Sequence, residues 1–178
     1  GRQGICRRRR RRDAFPVQRV TAPLLRYEDF PVGRSFALGP YTLTADEIIE
    51  FAAEFDPQPQ HLSEEGGRAS ILGGLAASGF HVCAVGMRMF VDAVLSKADI
   101  KGGIGADDIR WLKPVRPGDV LTGTVLVEAA RLSGKDTSRG YVTTRIDIVR
   151  GTADAPEKVL TLTNVVIIGT KSQSVGGA

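Results

Sequence analysis

The chain has 178 residues, 42% hydrophobic and 6% aromatic, which suits one domain with a real core and leaves little room for a second. Its formal charge of +4 misleads, because residues 1–26 hold nine arginines against one aspartate while the rest of the chain holds 15 basic against 19 acidic residues. The body is therefore mildly acidic, which excludes a basic surface for gripping nucleic acid.

The unbroken run Arg7 to Arg12 is a block of like charge that repels itself, so residues 1–26 are expected to form a disordered basic extension. The segment Asp13 to Arg19 is too short and too polar to be the apolar part of an export signal. No window reaches about 18 uninterrupted apolar residues, so no membrane span is expected. Cys6 and Cys83 supply neither a disulfide framework nor metal-ligand spacing, which fits a reducing, cytoplasmic setting. With His61 and His81 as the two histidines and no compact carboxylate cluster near them, no metal is expected.

The ordered body is expected to run over residues 27–170, with 171–178 a flexible tail. Pro31-Val32-Gly33 turns the chain into a first strand over Ser35 to Leu43. Thr44 with Glu47 three residues later forms the capping-box pattern, and Ile48, Phe51, Ala52 and Phe55 then recur on one helix face. Pro57 and Pro59 forbid continuation, which places Asp56 at the helix end and His61 in the loop beyond. Residues 63–68 read as a polar loop.

From about Gly79 to Ser96 apolar residues surround a helix on nearly all faces, so this helix has to be buried. Gly86 is expected to allow a close backbone approach, Arg88 and Asp92 to pair on its one polar edge, and Ser78 to be an N-cap before it is a substrate contact. His81 in the first turn reads as a capping or interface group. The remainder is strand: Ile104 to Val115, Val120 to Leu132 after the Pro117-Gly118 turn, Tyr141 to Val149, and Lys158 to Gly169, with apolar alternation throughout. One helix followed by long antiparallel strands implies an α+β domain, a single sheet wrapped around one long buried helix.

One stretch looks like a site rather than packing. Asp56 and His61 stand five apart on a segment kept out of helix, just before the glycine-rich approach Leu72-Gly73-Gly74-Leu75-Ala76-Ala77-Ser78-Gly79 to the apolar helix. A helix start offers unpaired N–H groups and positive potential, and an acid with a histidine can manage a proton and a water molecule, so chemistry on a carbonyl compound is expected.

The order Asp56, Gln58-Pro59, His61 and then the glycine-rich loop resembles the hydratase motif of the MaoC-like acyl dehydratases, which include the R-specific enoyl-CoA hydratases of the hotdog superfamily. Arg110-Trp111-Leu112-Lys113-Pro114-Val115-Arg116-Pro117-Gly118-Asp119 also resembles that family's strand and turn, so the resemblance covers residues 27–169. Gln58 stands where the motif usually has Asn, Ser78 where it usually has His, and Gly86 where some hydratases place a serine.

The resemblance implies a single hotdog domain and a hydro-lyase of fatty acid metabolism. Such an enzyme hydrates 2-enoyl-CoA or dehydrates (3R)-3-hydroxyacyl-CoA, with coenzyme A entering as part of the substrate and no other cofactor. Asp56 and His61 would be catalytic, with Ser78, the Gly79 backbone N–H and Gln58 positioning the substrate and its oxyanion. Arg110, Lys113 and Arg116 are candidates for the coenzyme A phosphates. The resemblance further implies a homodimer or higher homo-oligomer. The alternatives are a hotdog acyl-CoA thioesterase, for which the helix offers Asp92, and a non-catalytic acyl-CoA-binding module.

Overall fold

The computed structural model describes residues 24–152 and 154–171. The basic run and nearly all of the expected C-terminal tail lie outside the described residues. A 3₁₀ turn at Tyr27–Asp29 leads into β1 (Ser35–Thr42) and α1 (Ala45–Phe55), then two short helices, α2 (Pro59–Leu62) and α3 (Glu64–Arg68). The long helix α4 (Gly79–Ala93) and a 3₁₀ turn at Leu95–Lys97 follow. Four strands complete the chain: β2 (Ile100–Trp111), β3 (Val120–Leu132), β4 (Arg139–Thr152) and β5 (Ala155–Gly169). They join β1 in one antiparallel sheet of order β1-β3-β4-β5-β2.

The strict alternation in β4 buries Val142, Thr144, Ile146 and Ile148 on one face, and β5 buries Leu160, Leu162, Asn164, Val166 and Ile168. That face carries α4, whose Val82, Val85, Met89 and Phe90 are buried. Phe90 is fully enclosed, so truncating it to Ala would cost about 3–5 kcal/mol. The α+β hotdog expectation therefore holds, a five-stranded sheet packed around one long helix.

The covering of α4 is one-sided, however, because Phe80, Met87 and Val91 face outward. The stretch Gly79–Lys97 also has the length and mean apolarity of a membrane-crossing helix, a test that a core helix packed on a sheet passes as well, and Arg88 and Asp92 interrupt it. Its apolarity is accounted for here by the sheet beneath it and by the outward stripe. At Gly86 a Cβ would stand 3.5 Å from Ile148, an ordinary contact, so the close approach expected there is not required.

Other expectations shift by local causes. Residues 63–68 are not a plain loop, because the Ser63 hydroxyl accepts from Gly66 N–H at 3.0 Å and caps α3. The second strand starts at Ile100 rather than Ile104, since Ile100 already pairs with Ile168, and it stops at Trp111 before Lys113-Pro114. The body begins earlier than Tyr27: Leu25 bridges to Ala98, and Arg26 pairs with Asp99. Phe55, the last residue of α1, is 67% exposed rather than inside.

Candidate active site

Pro57 ends α1 at Asp56, whose backbone N–H still reaches Ala52 O while its φ of −151° turns the chain out of the helix. Its carboxylate Oδ1 accepts from Gln58 Nε2 at 2.6 Å, and Gln60 Nε2 in turn donates to Gln58 Oε1 at 2.9 Å, which fixes which way the Gln58 amide points. Gln58 therefore holds Asp56 directly. Pro59 does not merely forbid helix; it sits at the first position of α2, where a missing N–H costs nothing, and so creates the turn that carries His61.

His61 is buried, with Nδ1 2.7 Å from the carbonyl of Ala76. A carbonyl only accepts, so Nδ1 carries the hydrogen and the neutral ring presents its lone pair at Nε2. Nε2 faces Asp56 Oδ2 at 3.7 Å, too long for a direct hydrogen bond. A separation of this length is one that a single water molecule hydrogen-bonded to both groups would bridge. The Asp56 pKa lies below the usual aspartate value, held down first by the Ser78 hydroxyl, then by Gln58, with His61 adding to both against a modest opposing effect of burial. Yet Ser78 Oγ makes no hydrogen bond of ordinary geometry, so its contact with Asp56 is a loose one.

Ser78 and Gly79 open α4. The first helical hydrogen bond runs from Val82 N–H to Ser78 O, which leaves the N–H groups of the first turn without helical acceptors and at the positive end of the dipole. These residues line a cavity of about 330 Å³ shared with Asp56, Gln58 and His61. Leu72, Val82, Val115 and Val159 give it apolar walls, Phe80 and Trp111 stand beside them, and Lys113 also lines it.

Gly79 is where a side chain is not tolerated, because its Cβ would lie 2.4 Å from the Trp111 indole. Trp111 packs edge-on to Phe80 with centroids 5.3 Å apart, so the start of α4 and the end of β2 form one wall. The approach loop is held from outside: Leu75 N–H donates to Glu64 Oε2 at 2.9 Å, and Arg116 donates to Leu72 O. Gly73 and Gly74 take φ of +70° and +159°, and Arg116 lies against Gly74.

Of the three basic residues expected near coenzyme A, Lys113 alone lines the cavity, and it stands 3.6 Å from Glu157. Arg110 is exposed and outside the cavity lining, while Arg116 is committed to the loop. Asp92 is exposed and bonded to Arg88 at 2.7 Å, also outside the cavity lining. Among the described residues no group of three or more His, Cys, Asp or Glu is placed to hold a metal ion. The sequence reading did not single out Ala76, Glu64 or Trp111. Ala76 acts through its backbone, which no side-chain pattern reveals; the lone tryptophan beside the Pro-Val-x-Pro-Gly-Asp turn was the signal available for Trp111.

Residues 29–148 match the family model described as the MaoC like domain. The chain belongs to this family. A MaoC-like dehydratase from Rhodospirillum rubrum is 38% identical in its solved structure, with a TM-score of 0.76 over 84% of this chain and 99% of that one. YdeM of Bacillus subtilis (strain 168), an uncharacterized protein, is 30% identical over 54% of this chain and 69% of its own length. An R-hydratase from Pseudomonas aeruginosa, at 18% identity and a TM-score of 0.65 over 83% of this chain and 88% of that one, shares the fold. The family and the 38%-identical structure place the chain with the MaoC-like dehydratases.

Proposed function

We propose that this MaoC-like domain adds water across the 2,3 double bond of an acyl thioester, or removes it from the 3-hydroxyacyl thioester, with coenzyme A as the carrier. The observation that carries the reading is the 3.7 Å gap between His61 Nε2 and Asp56 Oδ2, beside the amide groups that open α4. In hydration, the water oxygen forms its bond to C3 while His61 Nε2 takes one of its protons and ionised Asp56 holds the other. Electron density moves onto the thioester oxygen, where the Gly79 N–H and the helix dipole stabilise it. The imidazolium then returns the proton to C2, which restores the thioester and regenerates the site.

The thioesterase alternative is disfavoured by Asp92, whose carboxylate is outside the cavity lining and paired with Arg88. Lys113 is the residue best placed for a polar part of the carrier. The outward stripe of Phe80, Met87 and Val91, with β2 as an open sheet edge, supports pairing with a second copy of the chain. The test is incubation with crotonyl-CoA and longer 2-enoyl-CoAs, following loss of the conjugated double bond beside release of free thiol. Hydration without thiol release is expected; thiol release as the main reaction would make the protein a thioesterase, and binding without turnover would make it a binding module.

A further inference from the structure

Three helices of the described chain begin on a hydroxyl residue, and two of them behave alike. Thr44 Oγ1 accepts from Glu47 N–H at 3.2 Å, and Ser63 Oγ accepts from Gly66 N–H at 3.0 Å. Ser78 is the exception. Its backbone (φ −54°, ψ 142°) is extended, as at other helix starts, yet its side chain caps nothing. It is also completely buried, its Oγ makes no hydrogen bond of ordinary geometry and only a loose approach to Asp56, and it lines the cavity with Asp56 and His61. Burying a hydroxyl with no more than a loose contact is costly, so a residue that gives up both solvent and cap is placed for something the cavity receives.

We propose that Ser78 is the third holder of the reacting oxygen: its hydroxyl donates to the water, or to the substrate's 3-hydroxyl, that sits between Asp56 Oδ2 and His61 Nε2. This rests on the hydratase reading above. A water molecule has two hydrogens and two lone pairs. With the hydrogens given to His61 Nε2 and Asp56, and one lone pair accepting from Ser78, a single lone pair remains, aimed at C3. Ser78 forms no covalent bond in this scheme; it removes the freedom of the water to turn. Its loose approach to Asp56 is the resting position of a rotor that swings to the incoming oxygen.

Ser78→Ala separates this role from a structural one. The expected result is a fall in kcat of about 10–100-fold with KM changed less than threefold. The acid limb of kcat/KM should move to higher pH, because Asp56 loses the contact that most lowers its pKa. The melting temperature should hold or rise by about 2 °C, since the variant removes an unsatisfied buried hydroxyl rather than a cap. Ser78→Cys, of similar shape and a weak donor, should lie between parent and alanine. Full kcat with a lowered melting temperature would overturn the proposal in favour of a cap, and an acyl group trapped on Ser78 in mass spectrometry would overturn it in favour of a nucleophile. If the parent turns over no enoyl thioester, the hydratase reading falls by itself. Ser78 is then judged by carboxyl NMR of Asp56 and by the melting temperature: an unshifted Asp56 titration in the alanine variant overturns the contact.

Discussion

Two acid–histidine pairs sit within the same small region, and they have opposite fates. Asp56 and His61 face each other beside a cavity; Glu47 in the first turn of α1 and His81 in the first turn of α4 influence each other through their charges. The Glu47 carboxylate is already spent, accepting from Thr44 N–H at 2.9 Å, Thr44 Oγ1 at 2.8 Å and the Tyr41 hydroxyl at 2.8 Å. Partial burial pushes its pKa up, and those hydrogen bonds outweigh it and bring the value down. His81 lies flat on Phe51, with centroids 4.4 Å apart and planes within 1°, its Nδ1 unpartnered. Burial lowers the His81 pKa, against the pull of Glu47. Asp56, by contrast, takes one well-formed side-chain hydrogen bond, from Gln58, and the loose approach of Ser78, while Oδ2 faces His61 Nε2, and His61 is anchored by a backbone carbonyl at its other nitrogen. In the first pair both groups keep an edge toward the cavity; in the second the carboxylate is taken up by the capping box and Tyr41, and the imidazole is buried against Phe51.

The sharpest contrast comes from removing each pair. Asp56→Asn or His61→Ala should lower turnover of an enoyl thioester by about 100-fold or more. His61→Ala should also cost about 1–2 kcal/mol of stability, because Ala76 O loses its donor. Glu47→Ala should leave turnover per folded molecule within about threefold, yet remove the capping box and lower the melting temperature by about 2–4 °C. Comparable losses of turnover from Glu47→Ala would erase the distinction.

Much of this contrast was legible in the sequence, because periodicity and punctuation act locally. The Thr44/Glu47 capping box, the strand from Val120 to Leu132 and the spacing of Asp56 to His61 all depend on neighbours along the chain. What depends on contacts distant in sequence was not legible. Gly86 looked like the constrained glycine, but the constraint falls on Gly79, imposed by Trp111 from 32 residues away. Ser78 looked like a cap because serine before a helix usually is one, but its hydroxyl accepts from no N–H of the first turn and lies at the cavity. Arg116 looked free to meet a phosphate until the fold brought Leu72 O to it.

Gly79 gives the next effect in size. Gly79→Ala would press a methyl group into the Trp111 indole, so the wall of the cavity must shift, at a cost of about 1–3 kcal/mol. Turnover should fall by about 10-fold or more, read against Gly86→Ala as the control with room for a methyl group.

The smallest effect is a pH dependence that separates the histidines. The folded-state pKa of His81 is depressed, so the neutral ring's contribution to stability is fully present above about pH 6.5 and is lost as pH falls from there through the folded value. His81→Phe keeps the ring against Phe51 and removes the unpartnered nitrogen. Its melting temperature should match or exceed the parent's at pH 7, and between pH 7 and 5 it should fall less steeply than the parent's. Parallel curves for the two proteins would show that His81 does not titrate in that window.

The central claim is that Asp56 and His61 act as one unit on one water molecule, and a double-mutant cycle on hydration of crotonyl-CoA tests it most directly. Groups that share a single proton relay are strongly non-additive, so Asp56→Asn with His61→Ala should be hardly slower than the worse single variant. Losses that multiply, to about 10⁴-fold or beyond, would contradict a shared water, and full activity in both single variants would contradict the site altogether.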